Sequence, residues 1–114
     1  MSATEFYLSK GFTPTWKTVT ISGAGTVTVW TPRSSTRIVL TQLIMATNLV
    51  CSSAFYFGNL AGDKIVQFYH AGSSTLNAEL LADGGTSDRT LVGNVSNGTG
   101  DGFKITAIGF EIPT

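Results

Sequence analysis

The feature that most constrains the fold of this chain is a two-residue alternation of β-branched and polar side chains. Between residues 17 and 30, Val19, Ile21, Val27 and Val29 alternate with threonines, and the alternation pauses at a Gly-Ala-Gly segment. A period of two indicates a β-strand, because successive side chains of a strand point to opposite faces. The pattern therefore predicts two strands, and the glycine-rich pause predicts that they pair as a hairpin.

The segment 36–47 (TRIVLTQLIMAT) is a long run of β-branched and aliphatic residues between turn residues. Its apolar side chains divide between two predicted faces, Ile38, Leu40 and Ile44 on one and Val39, Leu43 and Met45 on the other. A strand that is apolar on both faces is typical of the interior of a sheet. The run therefore predicts a central strand with both faces covered.

Four further segments complete the expected elements. Residues 53–58 (SAFYFG) and 64–70 (KIVQFYH) predict two short aromatic strands that pair across a loop of hairpin length. Residues 89–95 predict a short strand, and residues 103–113 predict a final one. In residues 74–82, Leu76, Leu80 and Leu81 have helical spacing, so a helical turn is plausible there.

About eight short strands in one chain of 114 residues predict an all-β fold. The remaining polar residues are mostly Thr, Ser, Gly and Asn, which favour strands and turns over helices. The architecture that these observations favour is a two-sheet antiparallel β-sandwich, jelly-roll-like, with an extended N-terminal arm.

The charge of the chain restricts its partners. Only 12% of the residues are charged, and seven basic residues balance seven acidic ones. A neutral chain has no net field to attract a phosphate backbone or an anionic membrane, so neither nucleic acid nor a membrane is an expected partner. A surface with few charges favours assembly with other subunits.

The first sixteen residues differ from the rest because they lack alternation and contain four large aromatic side chains. Phe6, Tyr7, Phe12 and Trp16 are therefore the candidate protein-interaction residues. We predict an N-terminal arm over residues 1–16 and a β-sandwich domain over residues 17–114. The aromatic residues either cover the end or edge of their own sandwich or reach a neighbouring subunit.

Groups that could support catalysis are few and scattered. His70 is the only histidine and Cys51 the only cysteine, and they fall on different predicted strands. Most of the carboxylates stand beside Gly or Ser in predicted turns, where an aspartate usually bonds to its own backbone. No catalytic, metal-binding or cofactor-binding residue is assigned, and the chain is predicted not to be an enzyme.

A carbohydrate-binding module is the alternative from a different functional class. Aromatic side chains can stack on sugar rings, and five on the predicted strands are candidates for such a platform: Trp30, Tyr56, Phe57, Phe68 and Tyr69. Alternating aromatic residues in strands more often belong to the core. The carbohydrate-binding interpretation therefore stands second.

The chain resembles the small virion structural proteins of tailed bacteriophages, among them the capsid decoration or cement proteins. The resemblance is carried by a Val/Thr hairpin leading to Thr31-Pro32, an Arg-Ile-x-Leu strand at residues 37–40 and a final glycine-containing strand at residues 105–110, and it extends over residues 17–112. It implies a decoration protein, or a component of the head fibre or tail. It also implies a homotrimer whose N-terminal segment grips the shell or the adjacent subunit.

The function expected from the sequence is therefore that of a non-enzymatic virion structural protein. Its expected partner is the major capsid protein or another virion protein, and no cofactor is expected. Residues 1–10 lack the basic start and apolar run of a secretion signal, and no apolar run reaches the length of a membrane span. The expected location is the virion, after synthesis in the host cytoplasm.

Overall fold

Strands carry most of the chain in the computed structural model, which describes residues 2–21, 24–47, 50–58, 64–96 and 103–114. One helix, α1 (Ala3–Ser9), precedes eight strands in these residues. The strands are β1 (Thr15–Ile21), β2 (Gly25–Trp30), β3 (Thr36–Thr47), β4 (Val50–Phe57), β5 (Lys64–Ala71), β6 (Ser74–Asp83), β7 (Leu91–Ser96) and β8 (Phe103–Pro113). The predicted all-β class is confirmed.

The strands form two four-stranded antiparallel sheets. Sheet I has the order β1-β8-β3-β6, and sheet II has the order β2-β7-β4-β5. Along the chain the strands alternate between the two sheets, except that β4 and β5 are neighbours in sheet II, and this order is that of the double-sheet jelly roll. The predicted jelly-roll-like sandwich is confirmed, and so are the central position of β3 between β8 and β6 and the pairing of β4 with β5.

The predicted hairpin between residues 17–21 and 26–30 is wrong. β1 pairs with β8 in sheet I, and β2 pairs with β7 in sheet II. The chain changes sheets between Ile21 and Gly25 instead of turning back on itself. Alternation identifies a strand and its buried face, but it does not identify the partner strand, which here lies far away along the chain.

The helical turn considered for residues 74–82 is also wrong. These residues form β6, an edge strand whose exposure alternates without interruption. Leu76, Ala78 and Leu80 pack against the core between the sheets, while Leu81 is 65% exposed on the other face. Ladder bonds to β3 and burial of every second side chain outweigh the helical spacing of the leucines.

The main core lies between the two sheets. Its largest fully buried side chains are Trp30, Phe55 and Phe103. Phe55 and Phe68 meet edge to face, with ring centroids 5.9 Å apart. A second, smaller cluster of Val39, Phe110 and Ile112 lies on the outer face of sheet I, the face turned away from sheet II.

A register shift in β3 determines which residues reach each of these clusters. In both ladders of β3 the register shifts between Leu40 and Gln42, so that Thr41 is an extra residue opposite β8. Ile38 and Leu40 face the core before the bulge, and Leu43 and Met45 face it afterwards. The predicted faces of this strand therefore need correction, because the bulge reverses the parity of the inward positions.

Gly109 makes this bulge possible. It lies opposite Leu40, and a Cβ atom at this position would overlap the carbonyl oxygen of Val39 and lie 3.0 Å from the Leu40 Cα. Only a residue without a side chain allows the two backbones to approach so closely.

The N-terminal segment is not wholly extended as expected. It contains α1, whose first turn is capped by Ser2: its Oγ accepts a hydrogen bond of 3.1 Å from the backbone N–H of Glu5. The helix ends before Gly11, whose φ of 87° favours glycine and whose N–H donates to the carbonyl of Leu8. The division into residues 1–16 and 17–114 stays a prediction, with Thr15 already the first residue of β1.

Candidate interaction surface

Two of the four predicted interaction residues pack on their own sheet. The centroid of the Tyr7 ring lies 5.2 Å from the centroid of the Phe110 ring and 6.1 Å from that of the Phe12 ring. Tyr7 and Phe12 both pack against the small cluster of Val39, Phe110 and Ile112. These two side chains hold the N-terminal segment on the outer face of sheet I.

Phe6 and Leu8 flank Tyr7 on α1 and remain open to solvent. Phe6 is 44% exposed and Leu8 is 48% exposed. The Lys10 ammonium lies 5.6 Å from the centroid of the Phe6 ring, so the helix presents a cation beside its exposed apolar side chains. Leu8 was not predicted, because only the aromatic side chains of this segment were considered as interaction residues.

Trp16 lies apart from the helix, on β1. Its side chain is 68% exposed on the outer face of sheet I, opposite Ile108 of β8. Ile108 is in turn opposite Gln42 of β3, and Gln42 is opposite Glu79 of β6. The four predicted residues thus separate into three groups. Tyr7 and Phe12 anchor the segment, Phe6 forms an exposed helix edge together with Leu8, and Trp16 lies at one end of a row of side chains across sheet I.

A groove lies between this row and the N-terminal segment. Its volume is about 410 Å³, and its lining includes residues of α1, β1, β3, β6 and β8. Ser2, Thr4 and Pro14 line it from the N-terminal segment, while Trp16 and Glu79 line it from the two edge strands of the sheet. The bulge residue Thr41 also lines the groove, and its Oγ1 donates to the carbonyl of Ile108.

The five aromatic residues considered for sugar stacking do not form a common platform. Trp30, Phe57 and Phe68 are buried in the core. Tyr69 is 74% exposed, and Tyr56 is half-buried. The predicted set is therefore wrong as a set, because three of its members point between the sheets.

Cys51 and His70, which are 19 positions apart in the sequence, lie directly opposite each other on β4 and β5. Both are buried, with exposures of 5% and 3%. Burial raises the pKa of the Cys51 thiol, although a hydrogen bond with Thr47 lowers it, and burial lowers the pKa of His70. These shifts favour a neutral thiol and a neutral imidazole, whereas a cysteine nucleophile needs the thiolate.

Three of the described carboxylates, those of Asp83, Asp88 and Glu111, make structural contacts. Asp83 Oδ1 accepts from the backbone N–H of Gly85 at 2.8 Å, and the same oxygen lies 3.0 Å from Arg37 Nε. Asp88 Oδ1 accepts from the backbone N–H of Ser35 at 3.1 Å. Asp63 and Asp101 lie outside the described residues.

Glu111 joins three parts of the fold. Its carboxylate accepts from the Trp30 indole N–H at 2.9 Å and from Arg33 Nε at 2.8 Å. Burial acts to raise the pKa of Glu111, but these hydrogen bonds and the Arg33 charge outweigh it and hold the pKa below its usual value. This carboxylate is a structural link between the start of the β2–β3 connection and β8.

Within the described parts of the chain, no group of three or more His, Cys, Asp and Glu side chains is arranged to hold a metal ion. The same parts contain no helix that is long and apolar enough to cross a membrane.

Comparison with protein-family models gives no match, and comparison with curated protein sequences gives none either. Among solved structures, the chain is similar to a chain of the cyanophage Pam1 capsid asymmetric unit, with a TM-score of 0.49 and 16% identity over 89% of this chain and 84% of that one. A virus-like particle of the extra small virus of the prawn Macrobrachium rosenbergii gives 0.43 and 8%, over 87% and 77% of the two chains.

A third similarity is to the structure of infectious bursal disease virus, Gx strain, with a TM-score of 0.43 and 11% identity. It covers 88% of this chain, which spans about a third (32%) of that viral chain. All three TM-scores are below 0.5 and all three identities are below 25%. These similarities therefore carry no argument about the function of this chain.

Proposed function

We propose that this chain is a non-enzymatic virion structural protein that decorates and stabilises a phage capsid. It binds the major capsid protein or a neighbouring virion protein through its N-terminal segment, and it acts as a homotrimer. The jelly roll is an architecture of viral capsid and lectin domains, so the fold is compatible with this function without specifying it.

The observation that carries the proposal is that the N-terminal segment has two kinds of apolar side chain, one pair attached to sheet I and another pair exposed to solvent. Tyr7 and Phe12 fix the segment to sheet I, so that Phe6 and Leu8 are held in place while still exposed. Two large apolar side chains on a fixed helix are a preformed contact, and little conformational entropy is lost when a partner covers them. A helix that served only to cover its own sheet would gain nothing from these two side chains.

The low charge of the chain supports the same proposal. Charged residues make up 12% of the sequence and their signs balance, so close approach to another neutral protein surface desolvates few ions. Many copies on a symmetric shell would add avidity to a modest affinity at each site.

The direct test uses virus particles purified on a density gradient from the organism that encodes this chain. The chain should sediment with the particles, and recombinant chain should rebind particles from which it has been stripped. Recovery of the chain only from the soluble fraction would contradict the proposal.

The binding surface is tested with the double variant Phe6→Ser and Leu8→Ser. Loss of about 1 kcal/mol of apolar burial for each half-exposed side chain should weaken binding at a single site by about 30-fold. Tyr69→Thr is the matched control, because it removes a 74% exposed aromatic side chain from sheet II. The control should bind normally, and full binding by the double variant would reject the helix edge as the contact.

A further inference from the structure

The groove on sheet I has the dimensions of a ligand site and is too small for a protein interface. Its volume of about 410 Å³ is within the usual range of about 300–1,000 Å³ for small-molecule sites. The row from Trp16 to Glu79 crosses three interstrand spacings, about 14 Å in all. A square of this side covers about 200 Å², well below the ~800 Å² that each partner buries in a standard protein interface.

One end of the groove is a large, exposed aromatic surface. The Trp16 indole is 68% exposed, whereas the only other tryptophan, Trp30, is 1% exposed and uses its N–H on Glu111. The next outward positions of β1 are Thr18 and Thr20, so the indole stands at the end of a row of otherwise small polar side chains. A flat apolar ring at the end of a groove can stack on a ligand that has an apolar face of its own.

The rest of the lining combines three apolar residues, Pro14, Leu80 and Ile108, with polar residues of which only one is charged. Hydroxyls come from Ser2, Thr4 and Thr41, and an amide comes from Gln42. The Gln42 amide is held in place because its Nε2 donates to Asn77 Oδ1 at 3.0 Å. These groups can donate to or accept from hydroxyl groups of a ligand.

Glu79 is the one charged group in the lining, and the described lining contains no Lys, Arg or His side chain. A carboxylate without a neighbouring cation repels phosphates, sulfates and carboxylates, so the charge of the groove selects against anionic ligands. It can accept two hydrogen bonds from adjacent hydroxyl groups. The groove therefore complements a neutral ligand that has many hydroxyl groups and one apolar face, which describes a pyranose sugar.

We infer that this groove binds a neutral oligosaccharide. One sugar ring stacks on Trp16, and hydroxyl groups of the following rings bond to Gln42 and Glu79. The site is distinct from the exposed helix edge formed by Phe6 and Leu8, neither of which lines the groove. It adds a ligand-binding activity to the structural function proposed above and does not depend on that function.

The test is a titration of the full chain with cellotriose, maltotriose and chitotriose, each up to about 10 mM, followed by tryptophan fluorescence. Trp30 is buried in the core and should not respond, so a saturable blue shift reports Trp16. Saturation-transfer NMR with the same sugars gives a second measurement that does not depend on fluorescence. At least one of the three sugars should bind, and no saturable signal from any of them would overturn the inference.

Three variants locate the binding. Trp16→Thr should weaken binding at least about tenfold, as measured by NMR, and Glu79→Gln should weaken it less. Tyr69→Thr, which removes an exposed aromatic residue from sheet II, should leave the affinity unchanged. Unchanged affinity in Trp16→Thr would overturn the inference, and so would sialyllactose, an anionic trisaccharide, binding as tightly as the neutral sugars.

The outcomes for the two proposals can be told apart. The Phe6→Ser and Leu8→Ser double variant should keep its sugar affinity even where particle binding is lost. Conversely, absence of sugar binding in a chain that still binds particles would reject only the groove.

Discussion

At the scale of single residues, His70 is an ionisable side chain that the fold buries. It is 3% exposed, its Nδ1 lies 2.9 Å from Ser74 Oγ, and its Nε2 has no hydrogen-bond partner in the described structure. Cys51 lies opposite it on β4, and the Phe68 ring lies 6.2 Å away. A protonated imidazole here would be a buried cation without a described anionic partner, which explains why burial lowers its pKa.

This environment predicts that the fold loses stability in mild acid. Below about pH 6.5 the unfolded chain protonates His70, whereas the folded chain does not until the pH falls through its lower pKa. Between these two values the unfolded state binds more protons than the folded state. The free energy of unfolding should therefore decrease as the pH is lowered, by up to about 1.4 kcal/mol per pH unit. Urea unfolding between about pH 7.5 and 5 measures this slope.

His70→Gln is the control for that measurement, because an amide keeps a polar group near Ser74 but does not titrate in this range. The variant should show a flatter dependence on pH. Glu111 does not interfere, because its hydrogen bonds to Trp30 and Arg33 hold its pKa below the usual range and its contribution is lost only in stronger acid. An equal slope in the variant and the wild type would assign the acid sensitivity to another group.

At the scale of elements, the strands could be predicted from the sequence but their partners could not. The bounds predicted for the central strand are those of β3, Thr36–Thr47, because a long β-branched run has few other places in a sandwich. The partners of β1 and β2 depend on residues 103–113 and 91–96, which local alternation cannot reveal. The candidate site was only partly predictable for the same reason, since its groove joins five elements.

The parity change in β3 shows a second limit of sequence patterns. Val39 and Ile44 were assigned to opposite faces, yet both lie on the outer side, because the bulge adds one residue between them. A bulge depends on the approach of a neighbouring strand, here at Gly109, and leaves no mark on the hydrophobic pattern of its own strand.

The attachment of α1 predicts different effects for two adjacent aromatic residues. Tyr7→Ala should lower the free energy of unfolding by about 2 kcal/mol, because the ring packs on Phe110 and covers the small cluster. Phe6→Ala should lower it by less than about 1 kcal/mol, because this side chain is 44% exposed. Urea unfolding of the two variants measures the difference, and equal losses would mean that α1 is not anchored through Tyr7.

At the scale of the whole molecule, exposed apolar side chains lie on both outer surfaces of the sandwich. Phe6, Leu8, Trp16 and Leu81 belong to sheet I or to the segment packed on it. Val50 and Tyr69 belong to adjacent strands of sheet II. Four of these six side chains therefore lie on the sheet I side, which is also the side of the proposed capsid contact.

The proposed trimer predicts a native mass of about 36 kDa for a chain of 12.0 kDa. Contacts that are mainly apolar are not screened by salt, so the mass should stay the same from about 0.05 M to about 0.5 M salt. Light scattering after size exclusion measures it. A mass of 12 kDa at all concentrations would reject the trimer, and dissociation at high salt would show that ion pairs hold it together.

The bulge at Thr41 also determines how β3 responds to changes in length. The strand consists of two halves of opposite parity, joined at a single surplus residue. Deleting Thr41 would leave every other side chain of β3 facing as it does now, in a straighter strand with a regular ladder to β8. Deleting another residue of the second half, with both ends of the strand kept in register, would shift the residues between that deletion and the bulge by one position. Their inward side chains would then face outward, and their outward side chains would face inward. Thr41 is therefore the residue of β3 whose deletion the fold should tolerate best.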